Sequence, residues 1–346
     1  MKRVIVQILL YLLLLGGVVG VIFLSGLNRV WLNLPFFLLS LWIIPSWHET
    51  GHLLFGKAVG MKLMQMDLPG FAIRKKEGKW RVKPVFSSVS SCAMYPESIE
   101  GACKKHLIFA LGGVAFNAIY LAICLTLLIV FNQPYLWATL GMTLPYNLYI
   151  FLLNLLPWTS DEGDFDGAVI FGLLKNDVSQ QVATNILVIQ GKLFCGHAPA
   201  EIEKSLFFDV PQLPEDESHF SMLQYLRYCY YADGGDKAQA IKAITRLEDC
   251  TEYISPVFLP TVYAELTYVY TCLNVNEELA ERYMNRLQQA KKTESSEFYR
   301  ALFAYGKMFG VADWCDEAKK KMPAAIQEEE LAGMAKFQEK LWKEIV

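Results

Sequence analysis

Acidic side chains are nearly missing from the start of this chain: Glu49 is the only Asp or Glu among residues 1–66. Three stretches lack charge altogether, Val4 to Asn28, Val30 to His48 and Leu107 to Ser160. Uncharged apolar runs of that length exclude an ordinary water-soluble fold for this part of the chain. Cysteine pairing signals are also missing. The eight cysteines are scattered and form no C-x-x-C, which fits reduced thiols rather than a disulfide framework. Nor is there a basic excess. The net charge is −3, which argues against a nucleic-acid partner.

That small net charge conceals two unlike halves. Residues 1–175 carry 14 Lys/Arg against 9 Asp/Glu, whereas residues 176–346 carry 18 against 26. A long-apolar, mildly basic half followed by an acidic half of ordinary composition predicts a membrane-embedded domain, 1–175, and a soluble domain, 176–346. A helix needs roughly 20 apolar residues to cross a bilayer core. On that scale the first half holds four spans, about 4–26, 31–57, 107–131 and 135–157. The first follows Lys2 and Arg3 like a signal peptide, but its run is too long and no A-x-A site follows, so it reads as a retained helix. Basic residues cluster at Lys2 and Arg3 and again between spans two and three, from Lys62 to Lys105. The positive-inside rule then predicts a multi-pass protein of the cell membrane with both termini cytoplasmic.

Into the second apolar run the sequence sets His48, Glu49 and His52, an H-E-x-x-H pattern. Positions i and i+4 share a helix face, so both imidazoles can reach one metal ion, with Glu49 beside them as general base. An ionisable residue near the bilayer centre costs roughly 2.5 kcal/mol or more, so Glu49 is not there by default. His48 lies 17 residues after Trp31, or about 26 Å at about 1.5 Å per residue, toward the cytoplasmic side. A catalytic zinc needs a third protein ligand. Span four returns to that side and delivers Asp161, Glu162, Asp164 and Asp166.

H-E-x-G-H in one apolar helix, then N-x-x-P and D-G in a later one, resembles the site-2-protease family of intramembrane zinc metalloproteases. "GGVAFN", Gly112 to Asn117, is similar to that family's glycine-and-asparagine signature in the intervening helix. The resemblance covers roughly residues 30 to 170. It implies one Zn²⁺ per chain held by His48, His52 and Asp166, with Glu49 as catalytic base. It also implies that Asn117 and Asn154 hold the substrate backbone or the oxyanion. Two departures stand out. Val114 replaces the family's usual proline, and the interval from Asn154 to Asp166 is longer than usual, which leaves Asp164 and Asp161 as rival third ligands.

Between spans two and three, "GFAIRKKEGKWRVKPVF" reads as a β-hairpin turning at Glu77-Gly78. It is either a cytosolic cap against lipid headgroups or an edge for an unwound substrate segment. Past residue 176, three aromatic-rich helices are each followed by a second helix starting near Asp236, Asn276 and Asp313. That spacing resembles tetratricopeptide-type hairpins, which bind peptide or protein regulators; a plain helical bundle is the alternative. His197 and His219 have no partner histidine at ligand spacing. The expected fold is mainly α, a polytopic membrane helical bundle of about four spans with a small β-hairpin, plus a soluble α-helical hairpin-repeat domain. The expected function is zinc-dependent proteolysis of membrane-spanning or membrane-associated proteins near the cytoplasmic face. Two other readings are a membrane-anchored zincin using Glu162 on exposed cytosolic loops, and a non-catalytic membrane scaffold that binds peptides through its helical repeats. Glu49 beside the paired histidines disfavours the scaffold, which has no use for a base there.

Overall fold

The computed structural model describes residues 2–76, 79–85, 90–160, 163–290 and 294–346. The expected turn at Glu77-Gly78, and the ligand candidates Asp161 and Glu162, lie outside the described residues. The chain divides into two compact units, Met1–Asp177 and Val178–Val346.

In the first unit, α1 (Lys2–Ser25) and α2 (Val30–Ala58) precede four strands, β1 (Lys62–Leu68), β2 (Gly70–Lys76), β3 (Lys79–Val85) and β4 (Ser91–Tyr95). Then come α3 (Ala102–Phe131), α4 (Pro134–Ala138), α5 (Leu144–Leu155), the two-residue strands β5 (Thr159–Ser160) and β6 (Gly163–Asp164), and α6 (Asp166–Leu174). Four segments are long and apolar enough to cross a membrane: Val4–Ser25, Leu27–Ala58, Ala102–Phe131 and Pro134–Leu155. They turn large apolar side chains outward, Phe23 at 68% exposure and Ile129 at 74% among them, as a lipid-facing surface requires.

Two features of these segments differ from the sequence expectation. The third begins at Ala102, so Lys104 and Lys105 sit inside its first turn. The fourth is interrupted: α4 gives way to a 3₁₀ stretch, Leu140–Thr143, before α5 starts with Pro145 near its N-terminus. Interrupted backbone among apolar helices must find hydrogen bonds within the protein. The buried Asn33 amide of α2 supplies one, donating to the Ala138 carbonyl at 3.4 Å.

The expected hairpin is part of a larger structure, a four-stranded antiparallel sheet in the order β3-β2-β1-β4. β1 alternates, with Met64, Met66 and Leu68 buried and the residues between them less so. β4 places Met94 against Gly56 of α2, where a Cβ would come under 3.0 Å from its sulfur. β3 is exposed along nearly all its length, and with β4 it forms the two ends of the sheet.

Glycines set the closest approaches in this unit. A Cβ on Gly51 of α2 would lie under 3.0 Å from the Gly112 carbonyl of α3, and the reverse holds for Gly112. Backbones touch there because neither helix carries a side chain at the crossing. Gly167 does the same for α6, against the carbonyls of Leu155 and Leu156. Behind it, Ala110 and Val114 of α3 pack with Val169, Ile170 and Leu173 of α6, flanked by Phe151 and Leu155. This cluster fixes where the first residue of α6, Asp166, must sit.

The second unit is helical throughout its described residues: α7 (Val178–Phe194), α8 (Ser205–Phe208), α9 (Ser218–Asp233), α10 (Lys237–Glu248), α11 (Leu259–Tyr268), α12 (Glu277–Gln289), α13 (Ser296–Phe309), α14 (Ala312–Glu328) and α15 (Ala332–Ile345), with short 3₁₀ turns and a π turn at Val269–Leu273. α9 packs on α10, α11 on α12 and α13 on α14. Asp236 and Asn276 cap α10 and α12, accepting from the backbone N–H of Gln239 and Leu279. Its core contains an ion pair with both partners fully buried, Arg300 and Glu265. Tyr228 donates to Glu265 at 2.6 Å, Arg300 donates to Gln338 at 2.6 Å, and Gln338 donates to Glu297 at 2.9 Å. The Arg300 guanidinium also lies 4.4 Å from the centre of the Tyr268 ring.

Candidate metal centre

His48, Glu49 and His52 occupy successive turns of α2 and all three are buried. The two imidazoles meet edge to face, ring centres 4.7 Å apart. Their orientation is set from behind. His52 Nδ1 lies 2.8 Å from the Phe109 carbonyl of α3, an obligate acceptor, so that nitrogen carries the proton.

His48 Nδ1 lies 2.7 Å from Asn117 Oδ1, and its proton can be placed by following the amides outward. Asn147 Nδ2 donates to the Asn117 backbone carbonyl at 3.0 Å, which leaves Asn147 Oδ1 as an acceptor. Asn117 Nδ2 donates to it at 2.6 Å, so Asn117 Oδ1 accepts, and His48 Nδ1 must donate. Both rings therefore carry a proton on Nδ1 and turn Nε2 forward, where in the neutral form its lone pair is available to a metal.

Those lone pairs face each other and a carboxylate. Nε2 of His52 is 3.1 Å from Nε2 of His48, and Asp166 Oδ2 is 3.2 Å from His48 Nε2 and 3.3 Å from His52 Nε2. Among the described residues this is the one group of three or more His, Cys, Asp or Glu placed to hold a metal ion. Asp166 Oδ2 is buried and has no hydrogen-bond partner. With both imidazoles in their neutral form these are three acceptors, which repel one another unless a cation lies between them. The spacing fits zinc: tetrahedral donors at about 2.0 Å from the ion stand about 3.3 Å apart. The residues present fit the metal that their resemblance implies.

Gly113 of α3 lies directly over the group. A Cβ there would come under 3.0 Å from Nε2 of both imidazoles, so only glycine leaves the space open. Glu49 is next to the ligand group without belonging to it. Its Oε1 accepts from Ser90 Oγ at 3.0 Å, just before β4. Trp47 donates to the Phe116 carbonyl at 2.8 Å, a further tie between α2 and α3.

The residues singled out from the sequence separate here. His48, His52 and Asp166 come together, with Glu49 alongside. Asn117 is wholly buried behind His48, with both ends of its amide engaged. Asn154 turns its amide back on its own helix, donating to the Ile150 carbonyl at 3.0 Å. Asp164 accepts from Thr159 at 2.7 Å in the β5–β6 turn and is not in the ligand group. His197 and His219 lie near Lys192 O and Ser179 Oγ, far along the chain in the second unit. Four contributors were not read from the sequence: Asn147, the Phe109 carbonyl, Ser90 and Gly113. Compared with family models, with curated proteins and with solved structures, the chain matches none.

Proposed function

We propose that this protein is a zinc-dependent membrane-embedded endopeptidase, cleaving membrane-spanning or membrane-associated proteins near the cytoplasmic face. The observation that carries this reading is the convergence of two oriented Nε2 lone pairs on an unpartnered, buried Asp166 oxygen beside a buried glutamate. When bound, the ion acts as a Lewis acid and makes water acidic enough to lose a proton near neutral pH. Glu49 Oε1 is held by Ser90, which leaves Oε2 to take a proton from water as its oxygen adds to the peptide carbonyl. The same carboxyl then passes the proton to the departing amine as the C–N bond breaks.

A substrate helix hides its carbonyls in internal hydrogen bonds and must be extended before it can be cut. β4 ends the sheet order and begins next to Ser90, which supports pairing of the extended segment along that strand's outer edge. The cytoplasmic placement rests on the distribution of basic residues, with both termini inside. The paired helices of the second unit are read as tetratricopeptide-like and as the part that recruits a substrate or regulator.

The decisive comparison uses Glu49→Gln. That variant is expected to retain about one zinc per chain by mass spectrometry, because it leaves all three ligands in place. Membrane proteomes of cells with the wild-type chain should contain truncated membrane proteins that are missing with Glu49→Gln. Identical proteomes would remove the peptidase reading.

A further inference from the structure

In the second unit, α8, α9 and α10 line an open groove of about 370 Å³, within the range of about 300–1,000 Å³ usual for ligand sites. Its walls follow from helical register. Gln224, Arg227 and Tyr231 stand at i, i+3 and i+7 on α9, and Gln239, Lys242 and Arg246 repeat that spacing on α10. Each trio therefore shares one face, and the two faces line the groove together with Phe208 of α8.

No Asp or Glu lines this groove, although residues 176–346 carry 26 acids against 18 bases. Arg246 is paired with Glu215. The other two cations have no carboxylate partner among the described residues. Arg227 donates from Nε to the Phe207 carbonyl at 2.8 Å and lies 5.5 Å from the centre of the Phe208 ring. Burial works against its charge. Lys242 and Gln239 extend into solvent from α10.

We infer that this groove binds an acidic peptide segment of a partner protein, its carboxylates on Arg227 and Lys242 and a neighbouring apolar side chain against Phe208 and Tyr231. Arg227 also donates from Nη1 to Gln224 Oε1 at 3.4 Å, which leaves Nη2 for a carboxylate, and Lys242 adds a second positive charge. Gln239 offers a donor and an acceptor, as a peptide group requires. A bare phosphate would satisfy the cations but leave the rings and the amide unused. The assignment deepens the recruiting role proposed for this unit and is independent of the metal centre.

The test titrates full-length protein in detergent micelles against a fluorescein-labelled octapeptide, Gly-Ser-Phe-Glu-Glu-Leu-Ser-Gly, read by fluorescence anisotropy. A control peptide carries Gln at both Glu positions. The acidic peptide is expected to bind saturably below about 1 mM, and at least about tenfold more tightly than the control. Lys242→Glu, at an exposed position, should weaken it by about tenfold or more with unchanged circular dichroism, and Lys242→Gln by a smaller factor. Equal binding of the two peptides overturns the inference, as does unchanged binding by Lys242→Glu or no saturation by about 1 mM. Displacement by inorganic phosphate at the peptide's own concentration also overturns it. Glu49→Gln should bind the peptide like wild type, so failure of this site and failure of the peptidase reading are told apart.

Discussion

At the scale of single residues, the chemistry of α2 depends on an amide two helices away. Asn147 anchors Asn117, and Asn117 decides which nitrogen of His48 faces forward. Asn147→Leu should therefore lower zinc affinity by about 10–100-fold, measured by chelator competition, while leaving every ligand in place. Gly113→Ala should abolish zinc binding, since the new methyl would occupy the space in front of both Nε2 atoms. Some loss of stability in the metal-free protein should accompany it, because both buried rings must shift to admit the methyl. Asp166→Ala should also lose zinc, whereas unchanged zinc content would reassign the third ligand. His48, Glu49 and His52 stood out because ionisable residues are rare in an apolar run, whereas Asp166 lay among several carboxylates after span four and was singled out by the resemblance, with Asp164 and Asp161 as rivals. Asn147 was not, although it lies in "LPYNLYIFLLN" and an amide in such surroundings needs a partner. The clue was there, but which partner it finds depends on how α3 and α5 pack, and spacing along the chain does not contain that information. Phe109 was out of reach for the same reason, since it acts through its backbone; Gly113 lay in the quoted glycine-and-asparagine signature, but its place over the imidazoles depends on how α3 packs on α2.

At the scale of elements, the position of the centre rests on two glycine contacts, α2 on α3 and α6 on the end of α5. Gly51→Val would push a branched side chain into the Gly112 carbonyl. It should destabilise the first unit by about 1–3 kcal/mol and lower zinc occupancy along with stability. Zinc occupancy should fall further with Gly113→Ala, whose methyl enters the site itself, than with Gly51→Val, which acts through helix packing. The sheet was only half readable. β2 and β3 show strand patterning around a turn, but β1 was passed over although Met64, Met66 and Leu68 alternate with more exposed residues. β4 is five residues long and acquires its meaning from pairing with β1 and from Ser90 reaching Glu49. Short edge strands have little periodicity of their own, and their partners define them. The interruption between α4 and α5 was hidden as well, since composition reports the length of an apolar run and not whether its helix is continuous.

At the scale of the whole molecule, the second unit carries its own polar core, whose behaviour can be measured apart from the metal. Arg300→Met would leave the buried Glu265 uncompensated and should cost about 3–5 kcal/mol. Glu329, after α14, accepts from Ser296; burial and, second, the nearby Glu297 carboxylate push it up to about 7. Its folded value lies above its unfolded one, so the native state holds this proton more tightly. The stabilisation it contributes is complete at pH values below the unfolded carboxylate range and is lost as pH rises through about 7. Melting of the second unit, followed by tryptophan fluorescence, should fall over that interval, and Glu329→Gln should flatten the curve. One consequence follows from where Asp166 lies in the chain. The two imidazoles and Glu49 leave the ribosome more than a hundred residues before it, and Asp166 emerges only after all four apolar segments. A nascent chain stalled anywhere earlier holds an incomplete set of donors. On the proposed function, the centre can therefore assemble only once all four apolar segments have been made, and it can do so before the second unit is finished.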